Sequence, residues 1–206
     1  MRREAGVAVW VGPKSKALSC GVERTERRIE SRRARVPAPH RMGMDITWIT
    51  DRIGVGGGIW NADNMAKVAE EGVTHIIDMQ IEFDDTPLAD AHGIEVLWNP
   101  TDDDFEPKPA SLLRSGVEFA EEALKDQDAK LFIHCAAGVH RAPMMALAVL
   151  GSMGWNLQDA RHLIEDKRPV ADFADVYFDS VERFLAGGLN RRGSLRTQRK
   201  SQQRTP

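Results

Sequence analysis

Between residues 44 and 186, short apolar runs alternate with longer stretches whose apolar positions recur at helical spacing. Ile46–Ile49 and Ile53–Val55 predict two opening strands, His75–Met79 and Ile94–Trp98 two more, and Leu131–His134 a fifth. The last run shows no polar alternation, the pattern of a strand covered on both faces. A helix capped by Asn61 or Asp63 should run to about Glu71. Ser111–Lys125 carries Leu112, Leu113, Val117, Ala120 and Leu124 on one helical face. Ala142–Met153 is apolar on nearly every side and reads as a central buried helix. Asn156 can cap the next helix, with Asp159 in its first turn and Pro169 beyond its end. Asp172–Ala186 forms the last, stopped by Gly187 and Gly188. Pro100–Pro109 is an acidic loop bounded by prolines. The order predicts an α/β fold, a single three-layer domain whose mainly parallel central sheet is flanked by helices.

Charge divides the chain more sharply than hydropathy does. The 206 residues carry a formal net charge of −3, yet residues 1–43 are at +7 and residues 187–206 at +6, which leaves an acidic body. Low hydrophobic periodicity marks 1–43 as a basic, disordered extension and 187–206 as a basic, disordered tail around a folded domain at 44–186. Translation starts at Met42 or Met44 would remove the first of these. Such tails are expected to be solvated, and no nucleic-acid partner is expected. No apolar run approaches the roughly 20 residues of a membrane span. The short run Val7–Val11 is cut off by Pro13, Lys14 and Lys16 before it reaches signal-peptide length. Two cysteines cannot build a disulfide framework, so a reduced, cytoplasmic setting is expected. Gly56, Gly57 and Gly58 read as a turn, because Ile59 stands where a dinucleotide fingerprint needs its third glycine. The sequence assigns no oligomeric state.

The segment that carries chemistry is Leu131-Phe-Ile-His-Cys-Ala-Ala-Gly-Val-His-Arg141-Ala-Pro. A buried strand ends at His134, a tight loop follows, and a helix begins near Arg141. Inward-facing loop amides together with a helix N-terminus make an anion cradle. Small residues at Ala136, Ala137 and Gly138 let the backbone come close to a phosphate, with Val139 and His140 completing the loop. Pro143 suits a first helical turn. Cys135 lies at the base of the cradle, where a helix N-terminus and a cation favour the thiolate. Arg141 follows six residues later, and its planar fork can grip two phosphate oxygens at once in a way lysine cannot copy.

This string resembles the His-Cys-x-x-Gly-x-x-Arg signature of the protein tyrosine and dual-specificity phosphatase superfamily, matched here by His134, Cys135, Gly138 and Arg141. The resemblance extends over about residues 45–186. It implies a dual-specificity-type fold and a phosphatase of phosphorylated proteins or other phosphate monoesters, working in two steps without cofactor or metal. Cys135 would attack phosphorus, with Arg141 and the amides of residues 136–140 holding the oxygens and His134 orienting the loop. An aspartic acid on an upstream loop would protonate the leaving group and then act as base for water. In Pro100-Thr-Asp-Asp-Asp104, Asp103 fits the family's Pro-x-x-Asp spacing, and Asp102 and Asp104 are its alternatives.

Two positions depart from the family. Ala142 replaces the Ser or Thr usual after the signature Arg, which implies slower hydrolysis of the phosphocysteine or compensation elsewhere. Arg-Ala-Pro, Cys-x-Ala-Gly and Met153-Gly-Trp-Asn-Leu157 are similar to glucan phosphatases, and Arg-Ala-Pro also occurs in phosphatases of regenerating liver. The glucan type, however, has Gly at the place of His140. A phosphoglucan or phosphoinositide ester is therefore the alternative substrate, and a phosphate-binding module with little turnover the alternative from another class. His140 is expected to line the rim. Trp48, Trp60, Trp98 and Trp155 are expected to pack in the core or at sheet edges, with Trp60 or Trp98 able to flank the site.

Overall fold

The computed structural model describes residues 43–202. All of the predicted 1–43 extension except Gly43 lies outside the described residues. Five strands form one sheet: β1 (Ile46–Trp48), β2 (Ile53–Gly56), β3 (His75–Asp78), β4 (Glu95–Trp98) and β5 (Leu131–His134), in the order β1-β2-β5-β3-β4. β1 pairs antiparallel with β2, and the other three pairings are parallel. The helices are α1 (Ala62–Glu70), α2 (Thr86–Ala89), α3 (Ala110–Ala123), α4 (Arg141–Ser152), α5 (Leu157–Lys167) and α6 (Asp175–Gln202).

Alternation along the parallel strands explains the three layers. Ile76 of β3 and Phe132 of β5 point to the side covered by α1 and α2, where they meet Ile59, Met65, Val68 and Ala89. Their neighbours Ile77, Leu131 and Ile133 point to the other side and join Leu113, Val117, Met145, Leu147 and Tyr177 from α3, α4 and α6. Each such side chain taken fully from water contributes about 1.5–3 kcal/mol. α4 is buried from Arg141 to Leu150, as its all-round apolar sequence predicts. It lies close to α3, because a Cβ at Gly116 would stand 2.4 Å from the Met145 sulfur.

The predicted caps are present. Asn61 accepts the Asn64 N–H at 2.9 Å, and Asn156 accepts those of Gln158 and Asp159. Each cap is worth about 1 kcal/mol. Three features differ from the sequence expectation. The short α2 was not foreseen, its four residues being too few to show a period. Trp60, Trp98 and Trp155 are nearly half exposed, although Trp98 does lie on edge strand β4 and donates its indole N–H to the Gln80 carbonyl at 2.8 Å. Finally, α6 continues through Gly187 and Gly188 to Gln202. A glycine inside a helix costs only about 1 kcal/mol relative to alanine, which does not stop a helix already under way.

β5 is central and parallel to both neighbours, so the loops after β2, β3, β4 and β5 crowd together at the carboxyl ends of the strands. Open α/β sheets bind ligands at this edge.

Candidate active site

β5 ends at His134, and its next residue, Cys135, is 1% exposed. The loop from Ala136 to His140 then turns into α4. Four donors from outside this loop take its carbonyls. Gly58 N–H reaches Ala136 O at 3.1 Å, Arg168 reaches Ala137 O at 3.4 Å and Gly138 O at 2.8 Å, and Asp172 N–H reaches Val139 O at 2.8 Å. In a planar trans peptide the N–H points opposite to the carbonyl. The amides of Ala137, Gly138, Val139 and His140 therefore face into the cup, and the Gly138 N–H lies 3.3 Å from the Cys135 sulfur. α4 begins directly at this cup with no side-chain cap, so its first-turn donors add to the same field.

Gly138 is required twice over. Its φ of +65° is left-handed, and a Cβ there would lie 2.4 Å from an Arg168 nitrogen and 2.5 Å from the Gly56 carbonyl. Arg168 itself is buried and forks onto Asp45 at 2.7 and 2.8 Å, holding that carboxyl below its usual range chiefly through the hydrogen bond. It fixes the back of the loop from 30 residues downstream of Gly138, too far for any local motif to reveal.

Arg141 turns back over the cup. Its two terminal nitrogens grip Glu82 at 2.8 and 2.9 Å, and one of them also donates to Thr101 O at 3.1 Å. Its Nε–H has no hydrogen-bond partner among the described residues and lies 3.9 Å from Asp103 Oδ2. Burial works against the guanidinium charge, but Glu82, Cys135 and Asp103 more than offset it and raise its pKa. Glu82 is in turn held low by Arg141. This carboxylate, on the loop after β3, was absent from the sequence reading. Its position at the carboxyl end of a parallel strand was the available signal.

The three acidic candidates separate in space. Asp104 turns to Lys108, an ion pair that lowers its pKa, and Asp102 is exposed and offers its carbonyl to the same lysine at 2.7 Å. Only Asp103 faces the cup. Its Oδ2 lies 2.9 Å from His140 Nδ1, and its Oδ1 accepts the Tyr177 hydroxyl at 3.1 Å. The His140 ring also meets that of Phe105 in a T-shaped contact, and its Nε2 lies 3.6 Å from Asp172.

Behind the cup, His134 has two buried aspartate partners that sequence reasoning missed. Asp78, Asp85 and His134 are all 0% exposed. His134 Nε2 stands 2.9 Å from an Asp85 oxygen, as an ion-pair contact and not an aligned hydrogen bond, and 3.7 Å from Asp78. Their donor atoms lie within 4.8 Å of one another, so these three residues could also hold a metal ion. Desolvation pushes Asp78 up to about 7, partly countered by His134. An unfolded aspartate titrates near 3.9. Between the two values the folded chain keeps a proton that the unfolded chain has lost, so stability falls as pH rises through this window. Asp78→Asn removes that penalty. We expect a gain of about 3–6 °C in melting temperature at pH 8, from roughly 1–2 kcal/mol in a chain of this size, and a smaller gain at pH 5. Calorimetry at both pH values checks this, and equal shifts would refute a bound proton.

A model of the dual specificity phosphatase catalytic domain family matches residues 59–180. Protein phosphatase Slingshot homolog 3 of Rattus norvegicus is 28% identical over 120 residues, which is 55% of this chain but 17% of that protein. Dual specificity protein phosphatase 8 of Homo sapiens is 31% identical over 71 residues, 34% of this chain and 11% of its own length. The chain thus matches less than a fifth of these relatives. Among solved structures, PTPMT1 in complex with PI(5)P superposes with a TM-score of 0.62 at 21% identity, covering 69% of this chain and 96% of that one. At that identity the likeness speaks for the fold.

Proposed function

This chain belongs to the dual specificity phosphatase family, and on that footing we propose that it hydrolyses phosphate monoesters of phosphotyrosine, phosphoserine or phosphothreonine proteins through a phosphocysteine intermediate. One observation carries the reading: the Cys135 sulfur meets the Gly138 N–H inside the loop that leads into Arg141, and the free Nε edge of that Arg141 approaches the carboxyl of Asp103.

The thiolate attacks phosphorus in line. The S–P bond forms as the bond to the ester oxygen breaks, and Asp103 gives that oxygen its proton. Charge on the equatorial oxygens is taken up by the amides and by the Nε edge of Arg141, while Glu82 keeps the guanidinium in place. Water then attacks the phosphocysteine and gives its proton to Asp103, which releases inorganic phosphate and restores the thiolate. Ala142 is buried and offers no hydroxyl to the departing sulfur, which slows this second step unless another group compensates. The catalytic unit spans residues 44–186, and a reducing compartment such as the cytoplasm suits its thiol.

The mouth carries Glu82, Asp102, Asp103, Asp104 and Asp172, with Lys108 and Arg141 both already paired to carboxylates. That balance favours a substrate with one phosphate over an inositol lipid that bears several. Phosphate release from p-nitrophenyl phosphate, a phosphopeptide panel, amylopectin and inositol lipids tests the proposal. Vanadate-sensitive release from the aryl ester and from phosphopeptides is expected. Faster release from a lipid or glucan than from any phosphopeptide would move the substrate class. No vanadate-sensitive release from any of them would reduce the chain to a phosphate-binding module.

A further inference from the structure

We propose that Tyr177 is the positioning residue of the acid loop, its hydroxyl fixing both the backbone of the loop and the oxygen of Asp103 that does not carry the catalytic proton. The proposal rests on the phosphatase reading given above.

Tyr177 is 0% exposed at the start of α6. Its oxygen accepts the Phe105 N–H at 3.0 Å and donates to Asp103 Oδ1 at 3.1 Å. One hydroxyl thereby ties together two residues of a loop 72 to 74 positions away in sequence. The loop needs such a tie. Phe105 has a φ of +56°, a conformation that a bulky side chain adopts only under constraint. Its ring is held parallel to that of Tyr177, with centroids 5.9 Å apart and 9° between planes. One helical turn on, Ser180 Oγ accepts the Lys108 N–H at 3.1 Å. Two hydroxyls on one face of α6 therefore peg the acid loop at its middle and near its C-terminal end.

The consequence is chemical as well as mechanical. With Oδ1 engaged by Tyr177, the proton that Asp103 delivers resides on Oδ2, the oxygen facing His140 and the open edge of Arg141. Burial raises the Tyr177 pKa to about 12, which keeps the hydroxyl a donor throughout the neutral range. A carboxyl released from this tie can rotate, and its acidic oxygen then spends less time over the leaving group.

Tyr177→Phe keeps the stacked ring and deletes only the hydroxyl. Proton donation matters most for a poor leaving group, so kcat/KM should fall about tenfold more on phenyl phosphate than on an activated fluorinated umbelliferyl phosphate. An equal fall on both esters, or none, would mean a structural role only and overturns the proposal. Hydrogen exchange gives a readout free of turnover: the Phe105 amide should exchange about tenfold faster in the variant, while the Lys108 amide stays protected. Unchanged Phe105 exchange overturns the proposal even if the enzyme is active, and loss of protection supports it even if neither ester is hydrolysed. Should the variant not fold, the single tyrosine of the chain can carry 3-fluorotyrosine, whose 19F resonance should move on Asp103→Ala, which removes the acceptor oxygen. A resonance that does not move overturns the contact.

Discussion

Cys135→Ser should lower turnover of aryl phosphates on the order of 10⁴-fold or more, while the protein still binds vanadate. The size follows from losing the nucleophile itself, the largest single deletion an enzyme of covalent mechanism suffers. The cup is tuned to a sulfur anion, which the Gly138 N–H at 3.3 Å and the guanidinium of Arg141 both favour. A serine hydroxyl at the same place is far harder to ionise, and it departs from phosphorus poorly in the second step. Binding should survive because the groups that hold the oxygens are unaffected. The four amides are aimed by Gly58, Arg168 and Asp172 acting on the carbonyls, and none of these contacts involves the sulfur. Stopped assays with p-nitrophenyl phosphate, together with vanadate titration, check both halves. A variant as fast as wild type removes the covalent mechanism, and one that also loses vanadate shows that the sulfur is needed to shape the cup.

The sequence made the cup legible because its chemistry is written in one contiguous string. Cys135, Gly138 and Arg141 need only a strand before them and a helix after them, and Leu131–His134 and Ala142–Met153 announce both by composition. What holds the string in place is not contiguous. Glu82 precedes Arg141 by 59 residues, Arg168 reaches Asp45 across 123, and Tyr177 meets Asp103 across 74. No period or spacing encodes such contacts, because they exist only after the sheet has brought its strand ends together. The buried Asp78 and Asp85, partners of His134, escaped for the same reason. Asp78 closes an apolar strand where a hydrophobic side chain would have fitted the pattern, and a charged residue in that place was the one local hint. The overrun of α6 past Gly187 and Gly188 has a different origin: glycine is a strong stop signal only where it takes the left-handed conformation itself, and two glycines within a ladder merely weaken it.

Asp103→Asn should lower kcat/KM for phenyl phosphate on the order of 10²-fold, the usual worth of a positioned general acid, and more than Asp102→Asn or Asp104→Asn. Spacing alone left three adjacent carboxyls in competition. The fold separates them by their partners. Asp104 is committed to Lys108 through a carboxylate that stays open to solvent, so its loss removes a screened ion pair of little worth. Asp102 meets the same lysine only through its backbone, and its side chain can change without moving the loop. Asp103 is held from both sides, by Tyr177 on one oxygen and His140 on the other, and is the one that approaches Arg141. An asparagine fits the same space and can still accept the Tyr177 hydroxyl, but it has no proton to give. The deficit should therefore shrink on esters whose leaving group departs without help, and the dependence of kcat/KM on leaving-group pKa should steepen. If Asp102→Asn or Asp104→Asn steepens that dependence more, the acid is the other residue, and the contacts of Asp103 with His140 and Tyr177 serve the loop alone.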